Sequence, residues 1–572
     1  MVIQSQNQAS CANQVSRRHF MNFLMVVPRY ASKGNFYNFP VGIASVYTYL
    51  KHLGFNVFCL NLCHSEESLA VALATAIEKH SIDVVCTGGM SFHWDLVNNI
   101  LECVKRINPS VRTVVGGPLV TADPELAINY LSFNFGVIGE GEVTMSELAA
   151  ILRDGGNPAG VKGLIFHNAA KGLILTEERE AIADLNSLPI IDYDAFGFDE
   201  WSPLIKYAQQ STILESYEEV RYSEILGSRS CPFSCTFCYH PLGKKYRQRS
   251  LDHLFSEIDT LTYAHGVNFI GFMDELFSVD HHRLLQFAER IKPYKVKWFA
   301  QMRVNDVTGD LLEKLVESGL LLATFGIESM NDKILKSMKK HTTRAEIERA
   351  LKVARETRFY CTGNIILGDP ADTRETMQES ITWWMNHPMY NVSLGFILAV
   401  PDAPIYRQAL EKGLIRDKLA HVRSKFPLVN LTSLSDRKYF NLVFKVAILN
   451  LFQRSRRLAE LVESLRLEET HNGNPFHLLR IKCPFCEEVL TYRRFMASSA
   501  LYLVITCESC FASFKVHQSK AFPKEYNFLR MISFLLLKLA ESYGSRFRWL
   551  PKNKERIKGM LRWSGLLQKK NI

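Results

Sequence analysis

Cys231, Cys235 and Cys238 stand close together in the run Ser230-Cys231-Pro232-Phe233-Ser234-Cys235-Thr236-Phe237-Cys238-Tyr239. Three thiols at this spacing are not a disulfide framework, because one would stay unpaired and a three-residue loop rarely closes an unstrained bridge. They read as ligands. A cubic four-iron, four-sulfur cluster held by three thiolates keeps one iron without protein sulfur, open to a small molecule. Gly227 just upstream permits a sharp turn from strand into loop, and the short loop lets backbone N–H groups turn toward the sulfurs. The alternative is a zinc knuckle with His240 as fourth ligand, although common zinc spacings pair one C-x2-4-C with a second, distant pair.

A second set has that paired form: Cys483-Pro484-Phe485-Cys486 and Cys507-Glu508-Ser509-Cys510. Two knuckles about twenty residues apart suit tetrahedral zinc, and four protein ligands make such a site structural. A zinc ribbon over residues 480–516 is the expectation; a rubredoxin-like iron or an auxiliary iron–sulfur cluster stays open, since four cysteines serve all three. Of the 13 cysteines these two sets take seven. The others, such as Cys59, Cys86 and Cys361, stand singly in apolar context, where a free thiol behaves as a small hydrophobe.

A chain of 572 residues needs two to four domains to position these ligands. With 47% hydrophobic and 22% charged residues it has an ordinary soluble composition. No uninterrupted apolar run is long enough to span a membrane, and the polar start at Met1–Arg18 has no signal-peptide pattern, so the expected location is the cytoplasm. The net charge of +10 is concentrated near the end, at Lys552, Lys554, Arg556, Lys558, Arg562, Lys569 and Lys570. Such a tail can touch RNA, DNA or anionic lipid, or simply be a solvated helix face.

From Phe23 to about Gly155, apolar runs at Phe23–Val27, Val57–Leu60, Val84–Thr87, Thr113–Gly116 and Phe135–Ile138 alternate with helical patterns. This predicts a doubly wound α/β domain over 21–180 with five parallel strands, behind a flexible tail over 1–20. Glycines fall at the carboxyl ends of its strands, Gly88-Gly89, Gly116-Gly117-Pro118 and Gly139-Glu140-Gly141-Glu142, at the edge where such sheets bind ligands. A linker follows over 181–220. From 221 to 430, six strand–helix units starting at Tyr222 predict a partial (β/α)6 barrel of TIM type, with its site at the carboxyl ends of the strands. The three-cysteine loop follows the first of these strands. Residues 431–572 would hold the four-cysteine module, with strands at Val489–Arg493 and Leu501–Thr506, then helices at Asn527–Tyr543 and Lys552–Leu567 and the basic tail.

The C-x3-C-x2-C spacing, with the aromatic Phe237 just before its last cysteine, resembles the radical SAM enzymes. The order Gly116-Gly117-Pro118, Pro124-Glu125, Gly139-Glu140-Gly141-Glu142 ahead of it resembles the cobalamin-binding domain fused to many of them, so that the likeness spans roughly residues 20 to 430. The resemblance implies a 4Fe-4S cluster on Cys231, Cys235 and Cys238 whose open iron is chelated by S-adenosylmethionine (SAM). It further implies reductive cleavage of SAM to a 5′-deoxyadenosyl radical, an electron donor such as flavodoxin or ferredoxin, and cobalamin at Gly116, Gly117, Pro118, Gly139 and Glu140. Methylation or rearrangement of an unactivated carbon would be the outcome. The D-x-H-x-x-G motif of better-known cobalamin proteins is absent, Pro28-Arg29-Tyr30-Ala31-Ser32 standing after the first strand; His93 is a further candidate ligand.

For SAM, Asp274 and Glu275 end the second barrel strand, where carboxylates can pair with a cationic amine and where the resemblance puts an acidic pair facing the SAM amino group. Arg303 ends the third strand and Gly326-Ile327-Glu328-Ser329 the fourth; the G-I-E-S run resembles the subfamily, which implies that this region lies against the SAM ribose and carboxylate, where a guanidinium suits a carboxylate and Glu328 with Ser329 suit ribose hydroxyls. Arg303 could instead form an ion pair with Glu328. Later turns drift from the family pattern, Gly368-Asp369-Pro370-Ala371-Asp372-Thr373 and Pro401-Asp402-Ala403-Pro404 standing where glycine-bearing turns are usual. Tyr239 and His240 are general-base candidates by proximity alone. The competing function is a metal-dependent nucleic-acid-binding or RNA-modifying protein that uses the ribbon and the basic tail.

Overall fold

The computed structural model describes residues 21–168, 170–208, 214, 217, 219–471, 473–496 and 500–527. The tail over 1–20, the basic segment and the expected helices beyond Asn527 lie outside the described residues.

The first five apolar runs form strands β1 (Asn22–Val27), β2 (Asn56–Asn61), β3 (Val84–Gly88), β4 (Arg112–Gly116) and β5 (Phe135–Val137), parallel and ordered β2-β1-β3-β4-β5. Helices such as Val41–His52, Trp94–Ile107 and Gly141–Asp154 cover the sheet, which is why its strands read as continuous apolar runs. The order reverses between β1 and β3, and the crevice there opens at the carboxyl edge. A hairpin not foreseen in the sequence, β6 (Leu164–Asn168) and β7 (Gly172–Leu175), extends the sheet antiparallel to seven strands.

The second domain begins with β8 (Tyr222–Ile225). The short strands β9 (Ser228–Arg229) and β10 (Arg247–Gln248) pair antiparallel and pinch the base of the cysteine loop. Then come β11 (Phe269–Phe272), β12 (Lys297–Met302), β13 (Leu320–Glu328), β14 (Tyr360–Leu367) and β15 (Asn391–Phe396), giving six parallel strands in the order β8-β11-β12-β13-β14-β15. Ser250, Asp280, Thr308 and Thr343 start the intervening helices by accepting a first-turn backbone N–H, which sets where each helix begins.

The stretch expected to be a linker is an aromatic seam. Tyr193, Phe196, Phe198 and Trp201 are buried against Phe39, and the Trp201 indole donates to the Tyr37 carbonyl at 2.7 Å. Tyr193 donates across to Glu257 at 2.7 Å. One hydrophobic core therefore runs from Phe23 and Met25 of the first sheet through this seam to Phe269, Trp298 and Trp384 of the second.

After helix Asp436–Leu451 come β16 (Arg457–Leu458), β17 (Glu460–His471), β18 (Asn474–Lys482), β19 (Val489–Phe495), β20 (Tyr502–Thr506) and β21 (Ser513–His517). They form two small sheets, β17-β18-β19 and β16-β21-β20. The long β17–β18 hairpin was not expected, because β17 is exposed and charged along most of its length.

Candidate active site and metal centres

The cysteine loop leaves β9 through Ser230, whose φ of +69° turns the chain sharply. Gly227 is tight there: a Cβ would lie 3.1 Å from the Phe277 ring and 3.4 Å from Asp274. Asp274 is fully buried and accepts the Gly227 N–H at 2.9 Å and the Ser228 hydroxyl. Burial pushes its carboxyl up to about 6 despite those two hydrogen bonds. Asp274 is thus occupied in bracing the loop, with both of its oxygens engaged there.

Farther along, Thr236 donates its backbone N–H to Met338 and accepts that of Ile405, at 3.1 and 3.0 Å, which fixes the loop between the β13 and β15 sides of the barrel. Cys235 is buried, and Cys231 and Cys238 are partly open. Burial raises all three thiols, Cys238 to about 12. Beside them a cavity of about 210 Å³ is lined by Cys235, Cys238, His240, Asp402 and Arg407. Thr236 Oγ1, Tyr239 Oη and His240 Nε2 are buried here without a hydrogen-bond partner.

His240 is engaged through one ring nitrogen. Its Nδ1 lies 2.9 Å from Glu275. Among the described residues, two groups bring three or more ligand atoms within 4.8 Å of one another, and the loop thiols belong to neither. A mononuclear tetrahedral ion needs closer sulfurs than that; the wider spread fits thiolates on separate irons of a cluster.

Glu275 stays half-buried beside the thiols, where its charge contributes to raising Cys231 and Cys238. Glu328 ends β13 with a φ of +64° and pairs with Lys340 at 3.0 Å, not with Arg303. Gly326 makes room for this pair, since a Cβ there would fall 2.2 Å from the Lys340 ammonium. Arg303 lies 3.8 Å over the Phe233 ring and donates to the carbonyls of Lys340 and His341. Ser329 turns inward: its hydroxyl accepts the Asn331 N–H at 3.2 Å and meets Ser380, a capping arrangement rather than an open ribose contact. Phe237 packs with Tyr239, Ile397 and Tyr406 behind the loop.

At the carboxyl edge of the first sheet the backbones of β3 and β4 approach so closely that a Cβ on Gly88 would lie 2.6 Å from the Gly116 carbonyl. Gly117, with φ +82°, starts the short helix Pro118–Thr121, and Gly139, with φ +77°, faces open space. Tyr30, in the place of the missing motif, packs against His93 in a tilted ring pair with centroids 4.5 Å apart. His93 accepts the Met90 N–H at Nδ1, and burial, with Lys425, holds it neutral at about 4.

Glu140 points elsewhere than expected. With Glu142 it faces the second domain in a buried network: Glu140 pairs with Arg229 at 2.8 Å and Arg247 at 2.9 Å, and Glu142 with Arg229 at 2.6 Å. Glu142 also accepts from Ser45 at 2.6 Å, and Arg247 donates to the Ile182 carbonyl at 2.7 Å. Arg229 directly precedes the cysteine loop, so the network ties that loop to the first sheet. Sequence reading missed both arginines; their one signal was their place on either side of the loop. Nearby, helix Lys418–Arg423 pairs with Asp123 and Asp95 at 2.7 and 2.9 Å, and Phe426 packs with Trp94 and Leu119. The residues after β3, β4 and β5 thus meet those after β8 and β15, and the carboxyl edges of the two sheets face each other.

The four thiols of Cys483, Cys486, Cys507 and Cys510 converge within 4.8 Å of one another, in the turns β18–β19 and β20–β21. The exposed Asp194 and Asp199 with His265 form the other convergent group, on the outside of the aromatic seam.

Two family models match the chain: a B12 binding domain over residues 30–149 and the Radical SAM superfamily over 225–383. An uncharacterized methyltransferase of Pyrococcus horikoshii is 30% identical over 350 residues, 60% of this chain and 72% of that protein. The anaerobic magnesium-protoporphyrin IX monomethyl ester cyclase of Cereibacter sphaeroides is 27% identical over 59% of this chain, but the chain spans only 54% of that protein's length. The fold is similar to the radical SAM methyltransferase TsrM of Kitasatospora setae, solved with cobalamin and a [4Fe-4S] cluster, with a TM-score of 0.55, 18% identity and 68% and 75% of the two chains covered. The chain belongs to the radical SAM superfamily, with a B12-binding domain ahead of its radical SAM domain.

Proposed function

We propose that this protein cleaves SAM reductively at a 4Fe-4S cluster held by Cys231, Cys235 and Cys238, and methylates an unactivated carbon with a corrinoid bound at the edge of β1–β5. The observation that carries this reading is the meeting of the two carboxyl edges, which sets the glycine-lined crevice against the cysteine loop. The residues fit the groups. Three thiols spread too widely for a single ion stand beside a cavity with unpartnered buried polar atoms, and the backbone cradle at Gly88, Gly116 and Gly117 is one that side chains would fill.

When bound, the cluster supplies the electron that breaks a carbon–sulfur bond of SAM, and the corrinoid supplies the methyl group. The chain's own part is placement and exclusion of water. Glu275, oriented by His240, offers a carboxylate to the amino group of SAM. Arg303, held flat on Phe233, and the Lys340–Glu328 pair lie along the wall where its carboxylate and ribose would rest. Asp274, Arg229 and Arg247 hold the loop. The six barrel strands would screen the reacting atoms from water, and a low-potential one-electron donor such as flavodoxin or ferredoxin would serve the cluster. Among the described residues no helix is long and apolar enough to cross a membrane, and free thiols of this kind suit a reducing cytoplasm.

The test is anaerobic purification, cluster reconstitution, and incubation with hydroxocobalamin, SAM and dithionite. Formation of 5′-deoxyadenosine with about one cobalt bound per chain is expected. Full iron loading with no SAM binding and no 5′-deoxyadenosine would overturn the reading.

A further inference from the structure

We infer that Cys483, Cys486, Cys507 and Cys510 form a mononuclear tetrahedral zinc site that fastens the C-terminal sheets over the amino-terminal ends of the barrel strands, opposite the radical site. The argument starts from sulfur spacing. Cys483 and Cys510 lie 3.8 Å apart and Cys486 and Cys507 3.6 Å apart. A tetrahedron with metal–sulfur bonds of about 2.3 Å has an edge of about 3.8 Å. A cubic cluster puts each thiolate on a different iron and holds the sulfurs farther apart, as the Cys231 loop does.

The two knuckles also repeat each other's backbone. The residue after the second cysteine takes a left-handed conformation in both, Glu487 at φ +64° and Phe511 at φ +54°. Each first cysteine accepts the N–H four residues on, Glu487 to Cys483 at 3.0 Å and Phe511 to Cys507 at 2.9 Å, and donates its own N–H to the residue after that, Glu488 and Ala512, at 2.9 Å in both. The amides of Phe485 and Cys486 aim at the Cys483 sulfur, and those of Ser509 and Cys510 at the Cys507 sulfur. Amides aimed at a sulfur are the outer contacts that hold a metal-bound thiolate. Two strained turns with the same geometry, on different sheets, converge on one point; nothing else in these hairpin tips needs that arrangement.

The position excludes a part in the chemistry. Thr506, next to Cys507, donates to the Tyr360 hydroxyl at 3.4 Å, and Arg456 donates to the Tyr390 carbonyl and to Asn391 at 2.7 and 3.0 Å. Tyr360 and Asn391 are the first residues of β14 and β15. Since β14 runs eight residues, roughly 23 Å of strand, at about 3.3 Å per residue, separates the end near the four cysteines from the end that faces the cysteine loop. An ion there touches neither SAM nor substrate. It joins the β18–β19 and β20–β21 turns of two sheets whose shared core includes Leu479, Ile481, Tyr492, Ile505, Phe514 and Phe522 beside the buried Cys483 and Cys507 themselves. Such a core benefits from a metal staple.

Elemental analysis of the full chain, purified anaerobically, and of the C231A/C235A/C238A variant decides the assignment. About one zinc per chain in both is expected, and cobalt(II) in its place should give intense thiolate charge-transfer and tetrahedral ligand-field bands in the triple variant. A second iron–sulfur signal, a single iron in place of zinc, or a metal-free triple variant would overturn it. The structural role is read in C486A: lower thermal stability with iron content unchanged and 5′-deoxyadenosine formation per cluster within about twofold of wild type. If C486A proves insoluble, a cobalt(II)-loaded wild type must show the same turnover per cluster as the zinc form. A tenfold or greater loss in either comparison would sink the structural role.

Discussion

Asp274 sits where a carboxylate could meet a ligand amine, yet both of its oxygens face the turn that launches the cysteine loop. Truncation in D274A would strand the buried Gly227 N–H, at a cost of about 1–3 kcal/mol. The expected outcome is a folded protein with markedly less iron after reconstitution, while E275Q keeps its iron and binds SAM more weakly. The titration has a definite sign. A folded-state value of about 6 against an ordinary 3.8 means that the contribution of Asp274 is complete below pH 4 and is lost as the pH rises through about 6. In metal-free protein, the destabilisation caused by D274N should therefore shrink between pH 4 and 7, by up to about 3 kcal/mol. Thermal unfolding across that range checks it, and a pH-independent difference would refute it. The three cysteines were legible in the sequence because their chemistry is local in spacing. The true partners of Asp274, Glu140 and Ser329 were not, because Arg229 and Arg247 lie 89 and 107 residues from Glu140, and no local pattern records a pairing across two domains.

Elements were legible wherever burial on both faces left an unbroken apolar run, as in β1, β3, β4 and β11. They were hidden where one side faces water. The β6–β7 edge hairpin and the charged β17 give no such run, and only their pairing makes them strands. The strand-end network of Glu140, Glu142, Arg229 and Arg247 joins elements of the two sheets, so its test belongs at this scale. R229M leaves two carboxylates buried with less charge opposite, and should cost about 3–5 kcal/mol; R229M/E142Q should recover part of that. R229K should not substitute, because one ammonium cannot fork between Glu140 and Glu142. Burial alone would raise Glu142, but the charge and hydrogen bonds of Arg229 bring it below 4.5. That stabilisation is present above pH 4.5 and lost as the pH falls through the depressed value, so acid should loosen the junction there. Fluorescence of the junction tryptophan, Trp201, followed during acid titration, measures it; loss of the transition in E142Q is the expected signature.

At the scale of the whole molecule, hydroxocobalamin at about a hundred times its Kd should raise the unfolding free energy by about 2.7 kcal/mol. This stabilisation should persist in the C231A/C235A/C238A variant, because the glycine cradle is separate from the thiols. Calorimetry of the triple variant with and without the corrinoid tests it, and no shift would place the corrinoid elsewhere. The seam of Tyr193, Phe196, Phe198 and Trp201 has a consequence for motion. Because one core passes through it from the first sheet to the second, the described residues pack the B12-binding domain onto the barrel rather than leaving it apart. With the two sheets sharing that core, the glycine cradle and the cysteine loop are held like the jaws of a clamped vice, and Asp402, Pro404 and Arg407 form part of the rim between them and solvent.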